Sequence, residues 1–155
     1  MKKVFFVIIN YNDYKTTLNL INNIKDYKIL NEIVVVDNKS TNESVDKLKK
    51  IKDITLICNE SNDGFAKAIN VASRYLIDKY SDGYIIISNS DIRIKKESDI
   101  KKLINNFKDN IAVVGPTIQE PDTIVRGIKH TTVKQDILLN IPFINRLYRN
   151  KYLSY

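Results

Sequence analysis

The sequence is poor in the residues that would make several function classes easy to recognise. It contains one cysteine, Cys58, so an intramolecular disulfide and a cysteine metal site are both excluded, and a reducing compartment is expected. Its longest clean apolar run, Val4 to Ile9, is far too short to span a bilayer. Met1-Lys2-Lys3 leads straight into that run, so no signal peptide is expected. Neither a G-x-G-x-x-G fingerprint nor a Walker lysine loop is present, which leaves dinucleotide and P-loop sites unsupported. Zinc-finger spacing, a basic heptad region and an aromatic RNA-binding pattern are also missing, so no nucleic-acid partner is expected. The lone His130, beside Lys129, reads as a solvent-facing loop residue.

What is present is an ordinary globular composition. Over 155 residues, 43% hydrophobic and 28% charged side chains suit one domain with a real core. Lys and Arg number 25 against 18 acids, for a net charge of +7. That balance favours anionic partners, although the lysines fall mainly on the polar faces of expected helices.

Apolar strands alternate with amphipathic helices along the first three quarters of the chain. Val4 to Ile9 is a continuous β-branched and aromatic run that ends at Asn10-Tyr11-Asn12-Asp13, where Asn12 or Asp13 can cap a helix. Tyr14, Thr17, Leu18, Ile21 and Ile24 then recur at helical spacing. A second strand, Ile33 to Val36, terminates at Asp37-Asn38, and Ser40 to Glu43 has the outline of a capping box before a short helix carrying Val45, Leu48 and Ile51. Ile54 to Cys58 reads as a third strand. Gly64 opens a helix on which Phe65, Ile69, Ala72 and Leu76 are expected to share a core face.

The fourth strand, Tyr84 to Ile87, is expected to stop abruptly at Ser88-Asn89-Ser90-Asp91, because Asn and Asp disfavour strand interiors. A helix with Ile100, Leu103, Ile104 and Phe107 follows, and Ala112 to Pro116 reads as a fifth strand closed by Gly-Pro. Such a series implies an α/β fold with a mostly parallel sheet, buried on both faces beneath its helices. Ligands of such sheets bind outside the carboxyl ends of the strands, where strand order reverses. Asn10, Tyr11, Asp37, Asn38, Asn89 and Asp91 all stand at strand ends and would gather along that edge.

Tyr11 can stack on a planar base, and Asp37 can accept a hydrogen bond from a base or ribose. Taken singly, Tyr11 also suits a core or edge aromatic, and Asp37-Asn38 also suits a strand-ending Asx turn. Asp91, beside Asn89 and two serines, suits a hard cation such as Mg²⁺ or Mn²⁺ that would bridge to phosphates.

Five blocks carry a resemblance to a known family: VIINYN (Val7 to Asn12), VVVDNKST (Val34 to Thr41), NDGFAKAIN (Asn62 to Asn70), IIISNSD (Ile85 to Asp91) and VVGP (Val113 to Pro116). Their order and spacing resemble family 2 glycosyltransferases, in particular a rhamnosyltransferase-like branch with an N-x-D motif. The resemblance implies a GT-A fold, with a Rossmann-like nucleotide-sugar half at residues 1–116 and a connector with an apolar and basic C-terminal segment at 117–155. By motif position, Tyr11 would flank the nucleobase, Asp37 would hydrogen-bond it, and Asn10 would line the same pocket. Asn62 would lie near the nucleotide and Asn70 would support the site from its helix. Asn89 and Asp91 would occupy the family's D-x-D positions, with Asp91 bridging the Mg²⁺ or Mn²⁺.

The activity implied is inverting, metal-dependent transfer from a UDP- or dTDP-linked sugar to a carbohydrate or lipid-linked acceptor in cell-surface polysaccharide assembly, in the cytoplasm or at the inner membrane face. The catalytic base is not identifiable, since Glu120, Asp122 and Asp136 match no family motif. The chain therefore reads as a donor half, and the alternative is a non-catalytic nucleotide-binding remnant or a module that needs a partner chain. A doubly wound signalling or flavin-type domain is disfavoured, because the second strand ends in one acid rather than a pair. The tail's apolar stretch, Ile137 to Tyr148 with Arg146 and Arg149, is expected to pack on the core or on a further half; the alternatives are a membrane interface and self-association.

Overall fold

A computed structural model describes residues 2–108, 110–119 and 124–125. The chain divides into two compact units, Met1–Asn105 and Asn106–Tyr155. In the first, β1 (Lys3–Asn10), α1 (Tyr14–Ile24), β2 (Glu32–Asp37), α2 (Ser44–Leu48), β3 (Thr55–Cys58), α3 (Phe65–Lys79), β4 (Gly83–Asn89) and α4 (Glu97–Asn105) follow in strict alternation. The four strands form one parallel sheet in the order β3-β2-β1-β4. Strand order thus reverses beside β1, which places a topological switch point between β1 and β4.

The period-two alternation of β1 explains why both faces of the sheet are covered. Phe6 and Ile8 join Ile33 and Val35 of β2 beneath Leu20, Ile21 and Ile24 of α1 and Leu48 of α2. Phe5 and Val7 join Val34 and Val36 on the opposite face, beneath Ala68, Ala72 and Leu76 of α3. Val4 and Ile29 pack with Ile100 of α4. Each fully buried side chain of this size stabilises the fold by roughly 1.5–3 kcal/mol, which makes β1 the apolar spine of the unit.

Several local expectations are corrected. β4 continues through Ser88 and Asn89, because its backbone pairs with Ile8 and Ile9 of β1 whatever the side-chain propensity. Among the described residues it is an edge strand and is not buried on both faces, and Ile87 is 46% exposed. The buried stripe of α3 is Ala68, Ala72 and Leu76, so Phe65 (45% exposed) and Ile69 lie off it; small alanines let the helix approach the sheet closely. Leu20 belongs to the core face of α1, and Asp13 caps that helix by accepting from Thr16 N at 3.1 Å. No capping box forms at Ser40, because α2 begins at Ser44 and its N-cap, Glu43, makes no side-chain cap bond.

In the second unit, Ala112 to Pro116 is not a strand: the residues carry no regular structure and Val113 is 85% exposed. A three-residue apolar run gains strand structure only from a ladder, and none forms there. The strands of that unit are β5 (Ile118–Gln119) and β6 (Ile124–Val125), an antiparallel pair. Phe107 follows the end of α4 instead of lying on it. Glu120, Asp122, His130, Asp136 and the apolar stretch from Ile137 lie outside the described residues.

The amino-terminal end of the sheet is held by one carboxylate. Glu32 accepts from Thr55 Oγ1 (2.6 Å), Tyr75 Oη (2.8 Å), Tyr80 Oη (2.7 Å) and Lys79 Nζ (3.0 Å), tying β2 and β3 to the carboxyl end of α3. Desolvation pushes the Glu32 carboxyl up, but the four donors together outweigh it and hold the group at about 2. A depressed carboxyl stabilises the fold above its ordinary value of 4.5 and loses that contribution as pH falls from there toward 2. With Lys79 half exposed and discounted for solvent screening, Glu32→Gln is expected to cost about 2 kcal/mol at pH 7. In urea melts the gap between wild type and variant should close between pH 4.5 and 2; a gap independent of pH would contradict this role. Gly83 supplies a second test, since a Cβ there would meet Phe5 Cε2 at 2.5 Å and the Lys3 carbonyl oxygen at 2.8 Å. Gly83→Ala should lower stability by about 1–3 kcal/mol through overpacking, read as a lowered thermal midpoint.

Candidate active site

The carboxyl ends of β1 and β2 meet in a polar node. Asp37, the last residue of β2, is 1% exposed, and Asn10, the last residue of β1 and its register partner, is fully buried. Asn10 Nδ2 donates to Asp37 Oδ2 at 2.7 Å, and Asn10 Oδ1 accepts from Thr17 Oγ1 at 2.8 Å. Ser40 completes the arrangement: its N–H donates to Asp37 Oδ1 (2.8 Å) and its hydroxyl donates to Asp37 Oδ2 (2.6 Å). The same hydroxyl oxygen accepts from Asn12 N at 2.8 Å and from Asn10 Nδ2 at 3.2 Å.

This network explains the local backbone. Asn12, with φ 56°, and Lys39, with φ 66°, both adopt the left-handed conformation, which asparagine tolerates better than most residues. Asn12 is repaid by its own contacts: its Oδ1 accepts from Thr41 N at 2.8 Å and its carbonyl accepts from Asn42 Nδ2 at 2.9 Å. The loops after β1 and β2 are therefore fastened to each other, with Tyr11 (49% exposed) carried outward between Asn10 and Asn12. Ser40, Asn12 and Thr17 are site residues that the sequence reading passed over. Only the i, i+3 spacing of Asp37 and Ser40, typical of an acid closing a turn on its own backbone, hinted at the first of them.

Asparagines extend the edge toward α3. Asn38 Nδ2 donates to Asn62 Oδ1 (2.6 Å), Asn59 Nδ2 donates to Asn38 Oδ1 (3.0 Å), and Gly64 N donates to Asn62 Oδ1 (3.2 Å). Asn62 is thus joined to the strand end, and Gly64, with φ 88°, makes the turn that starts α3. Asn70 is not brought to this group. It is exposed two residues from both Ala68 and Ala72, which puts it on the side of α3 away from the sheet.

Among the described residues no ion pair involves Asp37, and its carboxylate accepts three hydrogen bonds, from Asn10 Nδ2, Ser40 N and Ser40 Oγ. A carboxylate offers about four acceptor positions, and the three donors leave one. At the next strand end the Cys58 thiol is pushed up, first by desolvation and then by the Asp37 charge. Asp63 is held low by Lys67 and Ser61.

Across the switch point, Asn89 ends β4 opposite Ile9, and Asp91 follows in an exposed turn. Asp37 and Asn89 are two strand spacings apart, roughly 10 Å, a span that a nucleoside diphosphate can bridge. Among the described residues no group of three or more His, Cys, Asp or Glu forms a metal cage. A divalent ion at Asp91 would take one carboxylate from the chain and its other oxygens from water and phosphate, which fits the habit of Mg²⁺ and Mn²⁺ beside nucleotides.

Comparison with known proteins gives the family and the fold. The family described as "Glycosyl transferase family 2" matches residues 5–154. A dTDP-rhamnosyl transferase, RfbF, of Shigella flexneri is 37% identical over 121 residues, covering 77% of this chain and 40% of its own. Among solved structures, the mannosyltransferase PcManGT of Pyrobaculum calidifontis, in complex with GDP-Man and Mn²⁺, superposes with a TM-score of 0.61 at 20% identity, over 70% of this chain and 33% of that one. TarS 1-349 of S. aureus in complex with UDP superposes with a TM-score of 0.53 at 25% identity, over 66% of this chain and 32% of that one. The chain spans 40% of the rhamnosyl transferase's length and about a third of each structure's. The fold is of the GT-A type, and the chain belongs to glycosyl transferase family 2.

Proposed function

We propose that the chain binds the donor, a dTDP- or UDP-linked sugar, of an inverting glycosyltransferase. The observation that carries this reading is the strand-end array at the switch point: an outward aromatic at Tyr11, a buried carboxylate at Asp37 with an acceptor position left, and an exposed carboxylate at Asp91 about two strands away. Tyr11 stacks on the base, and Asp37 accepts from the imide N–H that uracil and thymine share. Asn10 acts from beneath by holding Asp37, while Asn62 borders the nucleotide and Asn70 has at most an indirect part. Similarity to a dTDP-rhamnosyl transferase favours the thymidine nucleotide.

Asn89 and Asp91 face the diphosphate, and Asp91 holds the divalent ion. When bound, such an ion supplies charge stabilisation to the departing diphosphate. The acceptor is a carbohydrate or lipid-linked sugar of a surface polysaccharide, and its hydroxyl is deprotonated by a base outside the array described here. Among the described residues no helix is long and apolar enough to cross a membrane. The site of action in this reading is the cytoplasm or the inner membrane face.

Calorimetry with dTDP and UDP, with and without Mn²⁺, tests the proposal. Wild type should bind dTDP, and Mn²⁺ should tighten binding by about tenfold or more. Asp91→Ala should lose the Mn²⁺ effect and keep the metal-free affinity. Absence of binding to either nucleotide under all conditions would overturn the donor-site reading. Tyr11→Ala should weaken metal-free dTDP binding by roughly 1–3 kcal/mol, the usual worth of base stacking on an aromatic; unchanged affinity would remove Tyr11 from the base site.

A further inference from the structure

Asp91 stands on a turn, and an exposed carboxylate on a turn is placed only as well as the two points that hold the turn. The first is Asn89, paired in the sheet with Ile9. The second is Ile94, which lies in irregular structure ahead of α4 and has no strand beside it among the described residues. Its backbone is nevertheless paired. Ile94 N donates to Asn23 Oδ1 at 2.9 Å, and the Ile94 carbonyl accepts from Asn23 Nδ2 at 3.0 Å. The carboxamide of Asn23 thus does for Ile94 what a neighbouring strand would do, taking its N–H and capping its C=O.

Tyr27 adds a third bond, its hydroxyl donating to the same carbonyl at 3.1 Å. The Ile94 side chain packs against the cores formed by α1 and α4, so backbone and side chain are both held. Only Ser90 to Arg93 lie between the two fixed points, and Asp91 is among them. Asn23 sits on the last turn of α1 and Tyr27 just beyond it, on the helix whose other end carries Thr17, the partner of Asn10. One helix therefore supports both ends of the strand-end array.

We propose that Asn23, assisted by Tyr27, is a positioning residue for Asp91, fixing that carboxylate for a divalent cation and the donor diphosphate. The inference rests on the donor-site reading above. Carboxylates that bind metal depend on what orients them, and loss of such support weakens metal binding even though no ligand is removed. Neither residue touches the nucleotide end of the array, so the effect falls on the metal side alone.

The test measures free Mn²⁺ by electron paramagnetic resonance in the presence of dTDP, together with amide exchange of residues 90–94. Asn23→Ala is expected to weaken Mn²⁺ binding to the dTDP complex by about tenfold. It should also speed exchange of the Ile94 amide and leave metal-free dTDP affinity unchanged. Tyr27→Phe, which removes only a hydroxyl, should weaken Mn²⁺ binding in the same direction by less, and carries the test if Asn23→Ala does not fold. Wild-type Mn²⁺ affinity in the folded variants would overturn the inference. An equal loss of metal-free dTDP affinity would also overturn it, by showing general loosening. Absence of Mn²⁺-dependent binding in the wild type would instead overturn the donor-site reading and this inference together.

Discussion

A buried carboxylate needs hydrogen-bond donors, and at Asp37 they come from the end of one strand and the loop after another. Asn10 brings the end of β1, and Ser40 brings the turn after β2. Leaving such a group unsatisfied costs more than an ordinary hydrogen bond is worth, so the carboxylate dictates where both loops go. Ser40 then passes the constraint on to Asn12, whose left-handed backbone turns Tyr11 outward. The array at the edge of the sheet is in this sense a consequence of how one acid is satisfied.

The rest of the unit supplies the frame that makes this arrangement rigid. β1 is central to the sheet and contributes apolar side chains to both faces, so its carboxyl end cannot shift without disturbing two cores. Glu32 fastens the opposite end of β2 to β3 and α3. β4 lies on the far side of β1, and that reversal of strand order puts the switch point beside Asn10 and Asn89. α1 holds the residues on either side of that point, Asn10 through Thr17 at one end and Ile94 through Asn23 at the other.

Much of this was legible in the sequence because the strands are unbroken β-branched runs and the first helix carries a regular stripe. The parallel sheet and the strand-end position of Asn10, Asp37 and Asn89 follow from those patterns, and the family from the order and spacing of the five motif blocks. What the pattern hid were contacts between loops distant in sequence. Ser40 resembles a helix cap because a capping serine and a serine that closes on an upstream aspartate look alike in one dimension; the node won because it satisfies a buried charge. Hydrophobicity alone puts Phe65 in the core, whereas the face that α3 buries is Ala68, Ala72 and Leu76. Ser88 and Asn89 were expected to leave the sheet on propensity, and backbone pairing with β1 kept them in it. Asn23 carried no signal at all, since a polar residue on a helix ordinarily faces solvent.

Asn10 and Asp37 act as one unit, and a double-mutant cycle on Asn10→Ala, Asp37→Ala and the pair measures that directly. Unfolding free energies from urea melts at pH 7 should show a coupling of roughly 1.5–3 kcal/mol, the range for a buried hydrogen bond to a charged group. Additive losses, with no coupling beyond about 0.5 kcal/mol, would mean that the two side chains contribute independently. The polar node would then not be what organises the site.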